Sequence, residues 1–448
     1  MRSASLSFGQ APPLWVPFRF FVSAPPFGLA ACLVLLWAGP DAFVSRWTPA
    51  LLAITHLLTI GFLAMVMMGA LVQVLAVVAG ARLPGGSTTA AWVHGALAAG
   101  ATLLAGGFLA LRPWLLATGA AALAAGFGMA IAACLLALRR AKSAGPVVTA
   151  ARLALVALFV ATMLGATLAL ALALGWPMPL EKLTNLHLQW GLIGWVLLLV
   201  AGVATQVVPM FQTTPEYSVR AVRAFCWITF FGLAAAAAAM IAGGPLWSLA
   251  AQTVLALSVA AFALYTLVLQ SRRRRRAADP TLQLWRAGMW CLLVASTLWF
   301  AARIWPLAQW RSYDPLLGTL AIFGFAVSVV NGMLCRIAPF LAWLHMQAAA
   351  RGTAIPPTLK RILPDRWCAQ QGMAHCTALA LLIAAAIWPQ PFAHAAALAA
   401  AVSFLLLWRN LLHTLGVCRA FRATVPVGCG DRACGQSKRS GFSAHPMR

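Results

Sequence analysis

The chain has 448 residues, of which 62 % are hydrophobic and only 9 % charged; its mean hydropathy is +0.88. A soluble domain carries about 25 % charge, so this composition cannot clothe the two or three globular domains that such a length otherwise implies. A cytosolic enzyme, a secreted domain and a disordered chain are thereby excluded, which leaves an all-α polytopic membrane protein.

A spanning helix needs roughly 20 apolar residues. Twelve such stretches follow in chain order, over 22–44, 50–79, 89–111, 114–138, 147–175, 185–211, 222–242, 245–270, 284–307, 315–344, 369–388 and 391–416. The first apolar run begins near Phe20 and reads as a retained helix rather than a cleaved leader. Gly243-Gly244-Pro245 and Pro389-Gln390-Pro391 favour tight turns between neighbouring spans. The organisation expected is a short cytoplasmic segment (1–21), a twelve-helix membrane domain (22–416) and a basic cytoplasmic tail (417–448).

Thirty-two Lys and Arg against seven Asp and Glu give a net charge of +25. With the N-terminus placed inside, only Arg46, Arg112, Lys182, Arg303 and Arg311 fall on the outer side, and the other 27 basic residues fall inside. That asymmetry is what the positive-inside rule predicts for a multi-pass protein of the inner membrane with both termini cytoplasmic. The partner implied is the lipid bilayer, with the run Arg272–Arg276 as a head-group anchor; nucleic acid is not. Among the ten cysteines, Cys32, Cys134, Cys226, Cys291 and Cys376 lie within apolar spans, where Cys behaves as a small hydrophobe. Cys429 and Cys434 are spaced more widely than a CxxC pair.

Spans two, six and ten share a pattern. Gly61-Phe62, Gly69, Gln73 and Ala76 match Gly194-Trp195, Gly202, Gln206 and Pro209, and again Gly324-Phe325, Gly332, Arg336 and Pro339. Gly61, Gly194 and Gly324 lie 133 and 130 residues apart, which gives three pseudo-repeated four-helix units, about 22–138, 147–270 and 284–416. At about 100° per residue the two glycines and the Gln or Arg fall on one side of each helix. Such stripes read as seams of close helix packing. Gln73 and Gln206 are intramembrane polar groups, whereas Arg336 is near enough to the cytoplasmic end to snorkel there.

Among eight histidines, His56, His187 and His394 sit near the outer ends of spans two, six and twelve; His94, His345, His375 and His413 sit towards the inside and His445 in the tail. A histidine at membrane depth is costly unless paired or ligating, and imidazole is a common ligand of copper and of haem iron. His56 and His187 are therefore the candidate cofactor ligands, with His394 a weaker metal candidate. His187 stands two residues before the slot equivalent to His56, a turn of about 200°. His56 thus faces away from its glycine stripe and His187 along its own, so the two need not share a site.

A twelve-span chain of three four-helix arcs, with histidines near the outer ends of spans two and six, resembles subunit I of the heme-copper oxidases. It is more similar to the NnrS family, haem- and copper-containing membrane proteins associated with nitric-oxide stress. Pro17-Phe18-Arg19-Phe20-Phe21 resembles that family's motif before span one. His56, Gly61, Phe62 and Gly69 match its span two, and Gly324 and Arg336 its span ten. The resemblance runs loosely along the whole chain on short apolar motifs. The family's other span-two positions hold Ile54, Leu57 and Ala76 here, and its span-ten histidine falls on Thr319. Span seven carries Phe225, Cys226, Trp227 and Ile228 in place of a copper-binding His pair, and no Tyr follows His187 at helical spacing. These departures argue against a full oxygen-reducing centre.

What the resemblance implies is a haem- and/or copper-binding protein of nitric-oxide stress or respiration, with His56 and His187 as ligands, Trp190 and Trp195 walling the pocket and nitric oxide or another small gas as ligand. Two alternatives stay open. One is a metal-free transporter or channel with Gln73, Gln206 and Arg336 as a polar pathway; against it, no carboxylate lies inside a span. The other is an assembly partner within a respiratory or denitrification complex. No phosphate-binding GxxxxGK[ST] loop is present, and Gly428, Gly430 and Gly435 form no nucleotide site.

Overall fold

A computed structural model describes residues 11–141, 145–274, 279–350 and 354–424. Lys142, Arg275, Arg276, Arg351, Cys429, Cys434, His445 and the tail glycines lie outside the described residues. Twelve helices are long and apolar enough to cross a membrane, and the chain is a multi-pass helical membrane protein. They are α1 (Trp15–Phe43), α2 (Pro49–Val77), α3 (Gly86–Ala110), α4 (Pro113–Arg139), α5 (Pro146–Leu174), α6 (Leu180–Gln212), α7 (Val219–Ala242), α8 (Pro245–Ser271), α9 (Pro280–Ile304), α10 (Tyr313–Ala350), α11 (Asp365–Ile387) and α12 (Pro389–Thr424). No strand occurs among the described residues. Successive helices run in opposite directions. We call the bundle end with the start of α1 and the end of α12 the terminal face, and the other the far face.

The helix ends follow local chemistry. α2, α4, α5, α8 and α9 each have proline in the first turn, where its missing N–H costs nothing. Thr48, Ser218 and Asp279 cap α2, α7 and α9 by accepting from backbone N–H groups. Gly175 and Gly243 end α5 and α7 at φ of +67° and +76°, a backbone conformation that glycine adopts without strain. The turn at Gly243-Gly244 and the break before Pro389 lie where their sequence places them.

Two boundaries differ most from expectation. α1 starts at Trp15, so Pro17–Phe21 is helical and buried around an Arg19 whose guanidinium lies 4.0 Å over the Trp15 ring. The stacked cation lets the helix extend past a charge that a hydropathy window treats as a stop. α12 runs to Thr424, eight residues beyond the expected end of the last span.

Three helices form the centre. In their most apolar windows α2, α6 and α10 are 83 %, 67 % and 72 % buried, against 33–50 % for the other nine. Each changes to π-helix for eight residues, at Leu57–Ala64, Trp190–Leu197 and Leu320–Val327. Gly61-Phe62, Gly194-Trp195 and Gly324-Phe325 occupy the fifth and sixth positions of those segments. The glycine seams point the same way in all three. A Cβ on Gly61 or Gly69 would strike Phe27, Phe20 or Phe21 of α1; on Gly194 or Gly202, Ala157 or Ala150 of α5; on Gly324 or Gly332, Cys291 or the Thr281 carbonyl of α9. Each central helix thus rests its small residues on the helix before it, where absence of a side chain lets backbones approach.

Polar clamps sit at both ends of α10. On the far face Arg46, just before α2, donates to Asn185 of α6 at 2.8 Å and pairs with Glu181 of α6 at 3.7 Å and Asp314 of α10 at 3.4 Å. On the terminal face Arg336 of α10 pairs with Asp279 at the cap of α9 (3.0 Å) and Asp365 at the start of α11 (3.4 Å). Arg336 is therefore held between two carboxylates instead of snorkelling to head groups.

Candidate functional site

His56 is the last residue of the α-helical part of α2 before its π segment, and His187 lies three residues before the π segment of α6. Each stands seven residues into its helix, about 10 Å along the axis at 1.5 Å per residue. The rings are stacked, with centroids 6.3 Å apart and planes within 20° of parallel. The two histidines therefore share a site. Their opposite facings relative to the glycine stripes bring them together: the stripe of α2 rests on α1, so the opposite side of α2 meets α6 and α3.

Hydrogen bonds fix both rings. His56 Nδ1 lies 2.7 Å from the Leu52 carbonyl one turn back, and His187 Nδ1 lies 2.9 Å from the Ala161 carbonyl of α5. A carbonyl only accepts, so each Nδ1 carries the proton and donates, and each Nε2 is left with its lone pair. This is the tautomer that a histidine ligating through Nε2 requires. Phe108 of α3 covers His56 at 5.3 Å between centroids. Gly165 of α5 makes room for the partner ring: a Cβ there would stand 2.8 Å from His187 Cε1.

The other expected residues are dispersed. His394 is exposed and packs on the last turns of α1, where a Cβ on Gly39 would stand 2.8 Å from its Cε1. No group of three or more His, Cys, Asp or Glu suited to a metal occurs among the described residues. Trp190 packs edge-on against Phe230 of α7, and Trp195 is buried with an unpartnered Nε1. Thr319 is half-buried at the start of the α10 π segment. The three equivalent polar positions have three fates. Gln73 is buried with Oε1 unpartnered, Gln206 is exposed on α6, and Arg336 is in its clamp.

Sequence reasoning missed two buried polar groups. Gln270 Nε2 of α8 donates to Gln212 Oε1 at the end of α6 at 3.0 Å. His375 of α11, fully buried, meets Ser328 and Asn331 of α10 and Ser403 of α12. The signal for the second was polar residues at helical spacing, Ser328 and Asn331 on span ten and Gln371 and His375 on span eleven.

A cavity of about 350 Å³ opens on the far face between Pro40, Asp41, Trp310, Arg311, Ser312 and Gln390; neither histidine of the pair lines it. No family model matches the chain, and no curated protein does.

Proposed function

We propose that the chain is a metal-binding protein of the inner membrane in which His56 and His187 together hold one copper ion or haem iron. The observation that carries this is the near-parallel pair with both Nδ1 atoms tied to carbonyls and both Nε2 atoms unprotonated. One ion held by two imidazole nitrogens at about 2.0 Å each spans about 4 Å between them, a separation within reach of rings whose centroids are 6.3 Å apart.

Copper is the better fit. Imidazole suits it. A haem between the rings needs a slab of space for its macrocycle, and Phe108 packs directly on His56. The bound metal would supply one-electron chemistry and a position for nitric oxide or another small gas. The chain's residues do the rest. Leu52 and Ala161 orient the rings, Phe108 shields them from water, and Gly165 sets how far His187 can reach.

The same reading takes the membrane domain as three four-helix units on a heme-copper-oxidase-like plan. It is supported by the π segments at matching positions and by the thrice-used packing of each central helix on its predecessor. The charge asymmetry supports cytoplasmic termini, which puts the His pair near the outer surface.

The test is metal analysis and optical spectroscopy of the detergent-purified full chain, oxidised and reduced, from copper- and haem-replete cells. The expected result is near-stoichiometric copper that falls at least tenfold in both His56→Ala and His187→Ala. Protein free of copper and haem would overturn the reading, and stoichiometric haem dependent on both histidines would move the assignment from copper to iron.

A further inference from the structure

Two polar rows face one another between α10 and α11. On α10 they are Arg336, Cys335, Asn331 and Ser328; on α11 they are Asp365, Cys368, Gln371 and His375. The contacts run in register from the terminal face inward. Arg336 pairs with Asp365 at 3.4 Å, Cys335 Sγ donates to Gln371 Oε1 at 3.9 Å, and Asn331 and Ser328 meet His375 at 3.1 and 2.8 Å. From Asp365 to His375 is ten residues, about 15 Å, which is half the thickness of a bilayer core. Gln371, Asn331, His375 and Ser328 have no exposed surface, and Cys335 and Cys368 almost none. Buried polar residues in a membrane helix are costly, and here six of them stack into one line.

The inner end is built to take a proton. Ser328 Oγ uses its only hydrogen on the Phe323 carbonyl at 3.2 Å, so it accepts from His375 Nε2–H. Nδ1 then carries the lone pair and accepts from Asn331 Nδ2. Asn331 Oδ1 has no partner although fully buried, and neither has Gln371 Nε2 one turn below His375. When Nδ1 gains a proton, rotation of the Asn331 amide brings that idle oxygen to accept it. Ser403 Oγ stands 3.5 Å from the same nitrogen. The Phe323 ring, stacked on the imidazole at 4.6 Å and 11°, offers its face to the cation. Among the described residues, no carboxylate or fixed cation touches His375. The titratable groups facing this line are the Cys335 and Cys368 thiols and, at its mouth, Arg336, Asp365 with its partner Lys360, and Asp279 from α9.

We propose that this row is a proton path that opens on the terminal face and ends at His375, a proton-accepting site in the membrane interior. Only N–H, O–H and S–H bonds change: a proton leaves water at the mouth and arrives on Nδ1, and nothing is oxidised or reduced. The inference is independent of any metal at His56 and His187.

Histidine C2 hydrogen–deuterium exchange, read by mass spectrometry on the full chain in lipid nanodiscs across pH, tests it. The expected result is measurable exchange at His375 whose rate titrates with pH. Gln371→Leu, or Cys335→Val as a second block, should slow it at least tenfold while exchange at His394 on the far face stays unchanged. Asn331→Leu should shift the midpoint by at least one pH unit to the acid side, a tenfold loss of proton affinity. An unfolded variant exchanges faster, so slowing cannot come from misfolding. No exchange at His375 while His394 exchanges normally, or rates unaffected by either block, would overturn the proposal and leave a purely structural buried histidine.

Discussion

The His56 and His187 rings lie 6.3 Å apart and within 20° of parallel, each with Nδ1 held by a backbone carbonyl. Two different helices supply the rings and a third, α5, supplies the Ala161 carbonyl. Alignment of the pair therefore depends on how α5 and α6 pack.

Gly165→Ala tests that dependence. The added methyl would fall 2.8 Å from His187 Cε1, so the ring must swing off its carbonyl. Groups that orient metal ligands typically contribute 10–100-fold in affinity. We expect copper affinity to drop by about tenfold or more with little change in melting temperature, measured by competition with a chromogenic copper chelator.

The packing seams make a second prediction. A Cβ on Gly202 would collide with the Ala150 Cβ of α5, whereas one on Gly128, on an exposed face of α4, meets nothing. Gly202→Ala should destabilise by about 1–3 kcal/mol, the usual range for overpacking. Gly128→Ala should be neutral or stabilise by up to about 1 kcal/mol. Thermal melts of the two variants in detergent distinguish them; equal melting temperatures would show that the α5–α6 seam yields freely.

The terminal-face clamp gives a pH dependence. Burial alone would raise the Asp279 carboxyl, but the Arg336 charge, with hydrogen bonds from Thr281 and Arg336, holds it below the ordinary carboxylate value. A group whose pKa is lower folded than unfolded stabilises the fold fully above its unfolded pKa, about 3.9 for Asp. That contribution is lost as pH falls through the lower folded value. Asp279→Asn should therefore destabilise at pH 7 by about 2 kcal/mol, short of the range for a wholly buried pair. The deficit should shrink below about pH 4. A deficit unchanged down to pH 2 would assign the effect to the lost cap of α9 instead.

The far-face clamp should rank its partners. Arg46 donates to Asn185 at 2.8 Å, but its Glu181 contact is 3.7 Å long and that carboxylate is 79 % exposed. Exposed ion pairs contribute little, whereas a hydrogen bond from a charged group contributes about 1.5–3 kcal/mol. Melting temperature should fall most for Arg46→Ala, less for Asn185→Ala and hardly at all for Glu181→Ala.

Much of the architecture is legible in the residues alone. Low charge and long apolar runs determine that the chain must put helices across a membrane, because nothing else satisfies its backbone groups there. Prolines and glycines mark the turns, as at Gly243 and Pro389, and Gly61, Gly194 and Gly324 mark the helices that pack most closely. Tertiary structure alone decides which side chains meet. A straight-helix count turns His56 and His187 apart, yet they stand together because their helices lie on different neighbours and each can reach across. It cannot separate Gln206, left exposed, from Arg336, drawn between Asp279 and Asp365, although both hold the same place in the pattern. Nor can it pair the row on α10 with that on α11 around His375. Periodicity reports the face a residue occupies on its own helix; the partner across that face is set by how the helices pack.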